Sequence, residues 1–356
     1  MAFGGAANAD TKVGGMTDGI SSIAWSPTAD HLVAGTWDNK VMWWDVQRNA
    51  SQQFMAQPRA ESVGHTGPVL DVSFSGDGQS VISASADHTV MLWNIAQAGA
   101  KARVVGKHAA PVKCARMVPE MGLIVSGSWD KTVMYWDTRQ QVPVMTVQLP
   151  ERCYAMDVRH PLLLVATAAT ANKEKHILQY DLTRPQAPVN QFLSPLKHMT
   201  RCIAAFPDKS GFAIGSVEGR VGIHHLDAHA QSKNFAFKCH RTDPKAHGKK
   251  FIFPVNTICF HPFGTFSTAG ADGAFNFWDK ENKQRLKQFP AKEAPISASA
   301  FNAQGSIFAY AVGYDWSRGV DGVPNPPVNY IGLQSVDQKD VTPRAPVAQG
   351  RGRGRR

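Results

Sequence analysis

The chain has 356 residues, 43% of them hydrophobic and 19% charged, which suffices to bury one large all-β domain or two ordinary ones and excludes general disorder. No apolar run approaches the roughly 20 residues of a membrane helix, and the start "MAFGGAANADTKVGG" lacks the basic and apolar regions of a secretory signal, so a soluble, intracellular protein without membrane insertion is expected. The five cysteines (Cys114, Cys153, Cys202, Cys239, Cys259) are odd in number and form no CxxC pair, arguing against a disulfide framework or a zinc knuckle, and the net charge of +10 is unevenly placed.

In chain order, the first signal is repetition. The stretches "DNKVMWWDV", "DHTVMLWNI", "DKTVMYWDT", "KHILQYDL", "GRVGIHHL" and "DGAFNFWDK" align Trp44, Trp93, Trp136, Tyr180, His224 and Trp278, at spacings of 49, 43, 44, 44 and 54 residues. A period of roughly 40 to 45 residues, holding four short strands and a terminal Trp-Asp, predicts the blades of a β-propeller. A seventh unit, "IFAYAVGYDWSRG" with "VNYIGLQSV", puts Leu333 at the Trp position. The expected architecture is an all-β, seven-bladed propeller over residues 18–338. An arm over 1–17 precedes it, and its end, around residues 10 to 18, should supply the outer strand of the last blade and close the ring. Residues 339–356 form the expected basic tail.

Each strong repeat follows the logic of "VSFSGDGQSVISASADHTVMLWN": an alternating strand, a Gly-Asp-Gly turn, a small-residue strand, then an Asp turn into a third strand. Here the sequence resembles the WD-repeat family, whose blades bury a hydrogen-bonded His, Ser or Thr, Asp and Trp. The matching sets are His65, Ser83, Asp87 and Trp93, then His108, Ser126, Asp130 and Trp136, and, across a longer insertion, His240, Thr268, Asp272 and Trp278. Both Trp93 and Trp136 should be buried with their indole N–H groups paired inside these tetrads. Ser, His and Asp also make hydrolase triads. A nucleophile, however, is unique and sits on a strained turn, whereas these sets recur and no G-x-S-x-G elbow is present.

Other chemistry fares no better. "GLIVSGS" has the glycine spacing of a phosphate loop without its Lys. His224, His225 and His229 make a poor zinc set, because His224 occupies a Trp slot and its neighbour points the opposite way along a strand. No catalytic residue, metal or cofactor is expected, and the chain reads as a non-enzymatic binding platform.

From residue 229 to 254 the chain carries six basic residues, one acid and four phenylalanines. Phe235 and Phe237, two apart on a predicted outer strand, face one way. Next, "FNFWDKENKQRLKQF" ends a strand at Trp278 and Asp279 and then places Lys280, Lys283, Arg285 and Lys287 within eight positions. Simple alternation puts Arg285 and Lys287 on one face and Leu286 on the other. Last comes "VTPRAPVAQGRGRGRR", too poor in apolar residues to order itself. Its Arg351, Arg353, Arg355 and Arg356 could contact RNA phosphates and bases, or serve only as a solubilising tail.

Over roughly residues 18 to 340, and most clearly in "ERCYAMDV", "SPLKHMTRCIAAFPD", "FAFKCHR", "GADGAFNFWDK" and "GYDWSRG", the sequence resembles the messenger-RNA export propeller of the nuclear pore. That resemblance implies docking on a GLFG nucleoporin through a short acidic-hydrophobic GLEBS segment. It assigns the grip to Arg220, Phe235, Phe237, Trp278, Asp279, Lys280, Lys283, Arg285 and Lys287, with acidic residues of the segment meeting the cations. A monomeric propeller, nuclear and pore localisation with shuttling to the cytoplasm, and messenger RNA or its packaging proteins as further partners are also implied. The mitotic-checkpoint propeller that recruits checkpoint kinases shares "RCIAAFP" and "FKCHR" and is the runner-up; it lacks the Asp-Trp-Ser of "GYDWSRG". A direct RNA-binding propeller is the third reading.

Overall fold

The computed structural model describes residues 10–140, 142–242, 248–324 and 328–344. These form seven four-stranded antiparallel sheets, each sheet one blade. Blade one runs through Ile20–Trp25, His31–Thr36, Val41–Arg48 and Phe54–Ser62, and blades two to six repeat the plan in order. Blade seven takes Ile296–Phe301, Ile307–Val312 and Tyr330–Ser335 from the C-terminal part and Thr11–Val13 from the N-terminal part. Thr11 lies opposite Leu333 and Val13 opposite Ile331, so the ring closes by strand pairing and its last edge is covered.

Burial explains the strand composition. The second strand of each blade lies between two neighbouring blades, so it reads as a continuous buried run: Leu162–Ala169 and Gly211–Ser216 are almost wholly apolar or small. Where blades converge on the axis, glycine is required. A Cβ on Gly127 would lie 2.5 Å from the sulfur of Cys153 in the next blade, a distance no side chain survives. The sulfurs are reduced and mostly buried.

The tetrads hold the turn between second and third strands to the loop entering the blade. His108 donates from Nδ1 to Asp130 at 2.8 Å, Nε2 meets Ser126 Oγ at 2.7 Å, and the Trp136 indole donates to that hydroxyl at 2.7 Å. The third set is equally complete, with Trp278 donating to Thr268 Oγ1 at 3.0 Å. The first departs from expectation. His65 bonds Asp87 and Ser83, but the buried Trp93 indole donates to the carbonyl of Ala100 at 2.9 Å. The loop between Asn94 and Arg103 folds back to offer that carbonyl, and a buried donor takes whichever acceptor is in line.

The C-terminal boundary also moves. Residues 339–344 are not tail: Gln338–Val341 is a helical turn packed on blade six, with Val341 only 2% exposed and its carbonyl accepting from Thr265 Oγ1 at 2.7 Å. The backbone N–H of Arg344 donates to Asp279 at 3.1 Å. One apolar side chain and a few backbone bonds tie down a segment that composition alone reads as unstructured.

Candidate partner-binding surfaces

The candidate cluster lies at the seam between blades five and six. The outer strand Phe235–Lys238 of blade five pairs Phe237 with Val221 and Phe235 with Ile223, which directs both rings toward blade six. There Phe237 meets Trp278 at 4.6 Å between centroids and Phe235 stacks on Phe237 at 6.0 Å. All three rings are half-buried. Lys283 lies 5.0 Å over Phe235 and Arg285 5.9 Å over Trp278, so two cations roof an aromatic floor. Among the described residues, neither cation has a carboxylate partner.

Four of the sequence-assigned residues are placed otherwise. Asp279 is 2% exposed and accepts bonds from the backbone of Glu281, Asn282 and Arg344 and from the Asn282 amide; it ties the turn together. Lys280 is also buried, over the ring of Phe206 and paired with Glu281. Lys287 is paired with Asp340 of the helical turn. Arg220 stands opposite Lys238, on the face of the sheet away from Val221 and Phe237, and pairs with Glu218 at 3.4 Å.

Nor do Arg285 and Lys287 share a face. The register shifts between Phe277 and Trp278, so Arg285 lies opposite Trp278 and Lys287 opposite Phe277. The extra residue of this β-bulge is Leu286, which packs into the blade six to seven core. Alternation fails here because a bulge inserts one residue on one strand, and the same shift recurs beside Trp44, Met91 and Trp136.

A second surface escaped the sequence reading. On the face that carries the His–Asp pairs, the mouth of the central channel is a cavity of about 420 Å³ lined by Trp37, Trp129, Tyr154, Arg201, Tyr314 and Trp316. Trp37 and Trp316 are 50% and 57% exposed. A signal was present: "TWD" and "SWD" put Trp37 and Trp129 just before a turn Asp, where blades two and six have Ala86 and Ala271. A large ring in a tight turn has no core to enter.

His224, His225 and His229 do not converge. His224 stacks on Phe212, where burial lowers its pKa, His225 bonds Asn234, and His229 lies in a 3-10 turn. Among the described residues no group of His, Cys, Asp or Glu is arranged to hold a metal. Arg351, Arg353, Arg355 and Arg356 lie outside the described residues.

Comparison with known proteins agrees with this architecture. The WD domain, G-beta repeat model matches residues 11–45, 57–94, 99–137 and 237–279. The chain is 46% identical to the poly(A)+ RNA export protein of Schizosaccharomyces pombe, over 92% of this chain and 90% of that protein. It is 48% identical to protein RAE1 of Arabidopsis thaliana, over 85% and 83%, and 42% identical to the mRNA export factor of Xenopus tropicalis, over 92% and 89%. The chain belongs to this family of WD-repeat mRNA export factors.

Proposed function

We propose that the protein is a non-enzymatic adaptor of messenger-RNA export that works between nucleus and cytoplasm and docks at the nuclear pore by holding an acidic-hydrophobic segment of a GLFG nucleoporin. The role in export follows from the names its relatives carry. One observation carries the docking reading: three half-buried rings, Phe235, Phe237 and Trp278, beneath two cations, Lys283 and Arg285, that have no acid to hold among the described residues. Apolar residues of the segment fit the floor and its carboxylates the roof. Aromatic anchors carry most of such an affinity, and rim charges govern association rate and specificity. The remaining polar sets argue for binding rather than turnover, since His65, His108 and His240 are buried and each is committed to its own blade.

The channel mouth supports a second placement of the same segment, because exposed tryptophans gathered around one cavity make the kind of contiguous apolar patch that marks an interaction site. Association kinetics with a GLEBS peptide separate the two. With the seam as site, Phe235→Ala with Phe237→Ala speeds dissociation at least about tenfold, and Lys283→Glu with Arg285→Glu slows association and removes its salt dependence. If both variants fold and bind unchanged while Trp37→Ala with Trp129→Ala loses binding, the mouth is the site.

A further inference from the structure

Blade four lacks the tetrad. Leu149 stands four residues before its first strand, where His108 stands in blade three. Val165 pairs with Met156 and Leu178 as Ser126 pairs with Ala115 and Met134. Its turn between second and third strands, residues 170–174, has no Asp and is five residues long against three in blade three. Without the His–Asp pair to draw turn and loop together, the top of the blade opens into a cleft of about 550 Å³.

The cleft is cationic. Arg152, Lys173, Lys175, Lys197 and His198 line it together with one acid, Glu151, and Tyr154 lies on the side toward the channel mouth. Among the described residues, Arg152, Lys173, Lys175 and Lys197 have no carboxylate within ion-pair distance. Lys175 donates to the Lys197 carbonyl at 2.8 Å and keeps two further N–H groups. The acids are engaged: Glu151 of the lining with Lys131 at 3.1 Å, and outside the lining Glu174 beside His176 at 3.7 Å and Glu218 beside His198 at 3.8 Å.

We propose that this cleft is a phosphate-binding site that takes a phosphorylated serine or threonine of an extended peptide. A phosphate ester carries about −1.5 to −2 charge near pH 7 and three acceptor oxygens, matching cations that converge from three loops; a carboxylate would leave most of them unmatched. Glu151, Glu174 and Glu218 disfavour a continuous polyanion, whose next phosphates would meet them, more than a single phosphate, since Glu151 is already paired with Lys131 and, among the described residues, four cations of the lining have no acid of their own. Residues flanking the phosphate run over Tyr154 toward the aromatic mouth, which suits apolar side chains. The site is independent of nucleoporin docking at the seam.

The test uses the full chain and three probes: a degenerate peptide library with a fixed central phosphoserine or phosphothreonine, the same library unphosphorylated, and a ten-nucleotide poly(U). The phosphorylated library should be retained at least about tenfold better than its unphosphorylated form. Lys173→Glu with Lys197→Glu should abolish that preference, while Lys173→Arg with Lys197→Arg, and the seam variant Lys283→Glu with Arg285→Glu, should keep it. Equal retention of both libraries overturns the proposal. So does a preference that survives the cleft reversal in a protein folded by circular dichroism, or a reversal that lowers poly(U) retention and spares the phosphopeptides.

Discussion

Two seams of the same ring differ in what flanks the tetrad tryptophan. In blade two the outer strand places Gly106 opposite Val90; in blade five the same place, opposite Val221, is held by Phe237. Each faces the tetrad tryptophan of the next blade. At Gly106 a Cβ would lie 2.2 Å from the Trp136 ring, so the indole seals against bare backbone and is 1% exposed. At Phe237 a second ring covers Trp278 instead, leaving both half-buried with Lys283 and Arg285 above. Both tetrads are complete, with Ser126 in one and Thr268 in the other. What separates a sealed seam from a receptive one is the pair of outer strands beside the indole: Gly106 and Pro143 at one, Phe237 and Arg285 at the other.

The largest expected effect tests whether the sealed seam carries stability. Trp136→Ala should cost about 3–5 kcal/mol, through the lost burial, the cavity and the loss of the indole bond to Ser126, whose hydroxyl keeps His108. Trp278→Ala, which already faces solvent on one side, should cost about half as much. Urea denaturation followed by circular dichroism measures both, and equal costs would break the comparison.

The second test is pH. Burial lowers the pKa of His108 despite the attraction of Asp130. Below about pH 6.5 the unfolded chain therefore takes up a proton that the folded one resists, so stability falls with pH, by at most about 1.4 kcal/mol per unit for one proton. Below about pH 4 a second loss sets in. Burial would raise the pKa of Asp130, but hydrogen bonds from Thr132 and His108 hold it below the usual range. His108→Gln should be less stable overall yet flatter between about pH 4.5 and 6.5, while Lys283→Glu with Arg285→Glu should keep the parent slope. An unchanged slope in His108→Gln would mean that other groups dominate, His224 and His261 being the next candidates.

How much could be read beforehand follows from which interactions are local. The repeat period, the Trp slots and the His, Ser and Asp positions are visible because each blade uses the same local geometry. Phe235 and Phe237 are visible because two residues on one strand share a face. The Leu286 bulge, the Asp340 partner of Lys287 and the burial of Lys280 over Phe206 are not, since each depends on chain brought from elsewhere. The channel mouth is least legible of all: Trp37, Trp129 and Trp316 come from three blades and converge only when the ring closes.

The smallest effect sharpens the comparison inside the sealed region. Ser126 Oγ is shared by His108 and Trp136, so Ser126→Ala strands two buried polar groups. Ser83 Oγ serves His65 alone, because Trp93 has turned to Ala100. Both serines lie in equivalent strands, at 0% and 4% exposure, so transfer and cavity contributions nearly cancel between them. The remaining gap is one unpaired indole N–H, and Ser126→Ala should be the more destabilising by about 1 kcal/mol. Thermal denaturation of the pair reads that gap directly. Equal losses would mean that the indole of Trp136 finds another acceptor when Ser126 is removed. The loop carbonyl that holds Trp93 would then be a general reserve of the blade rather than a peculiarity of blade two.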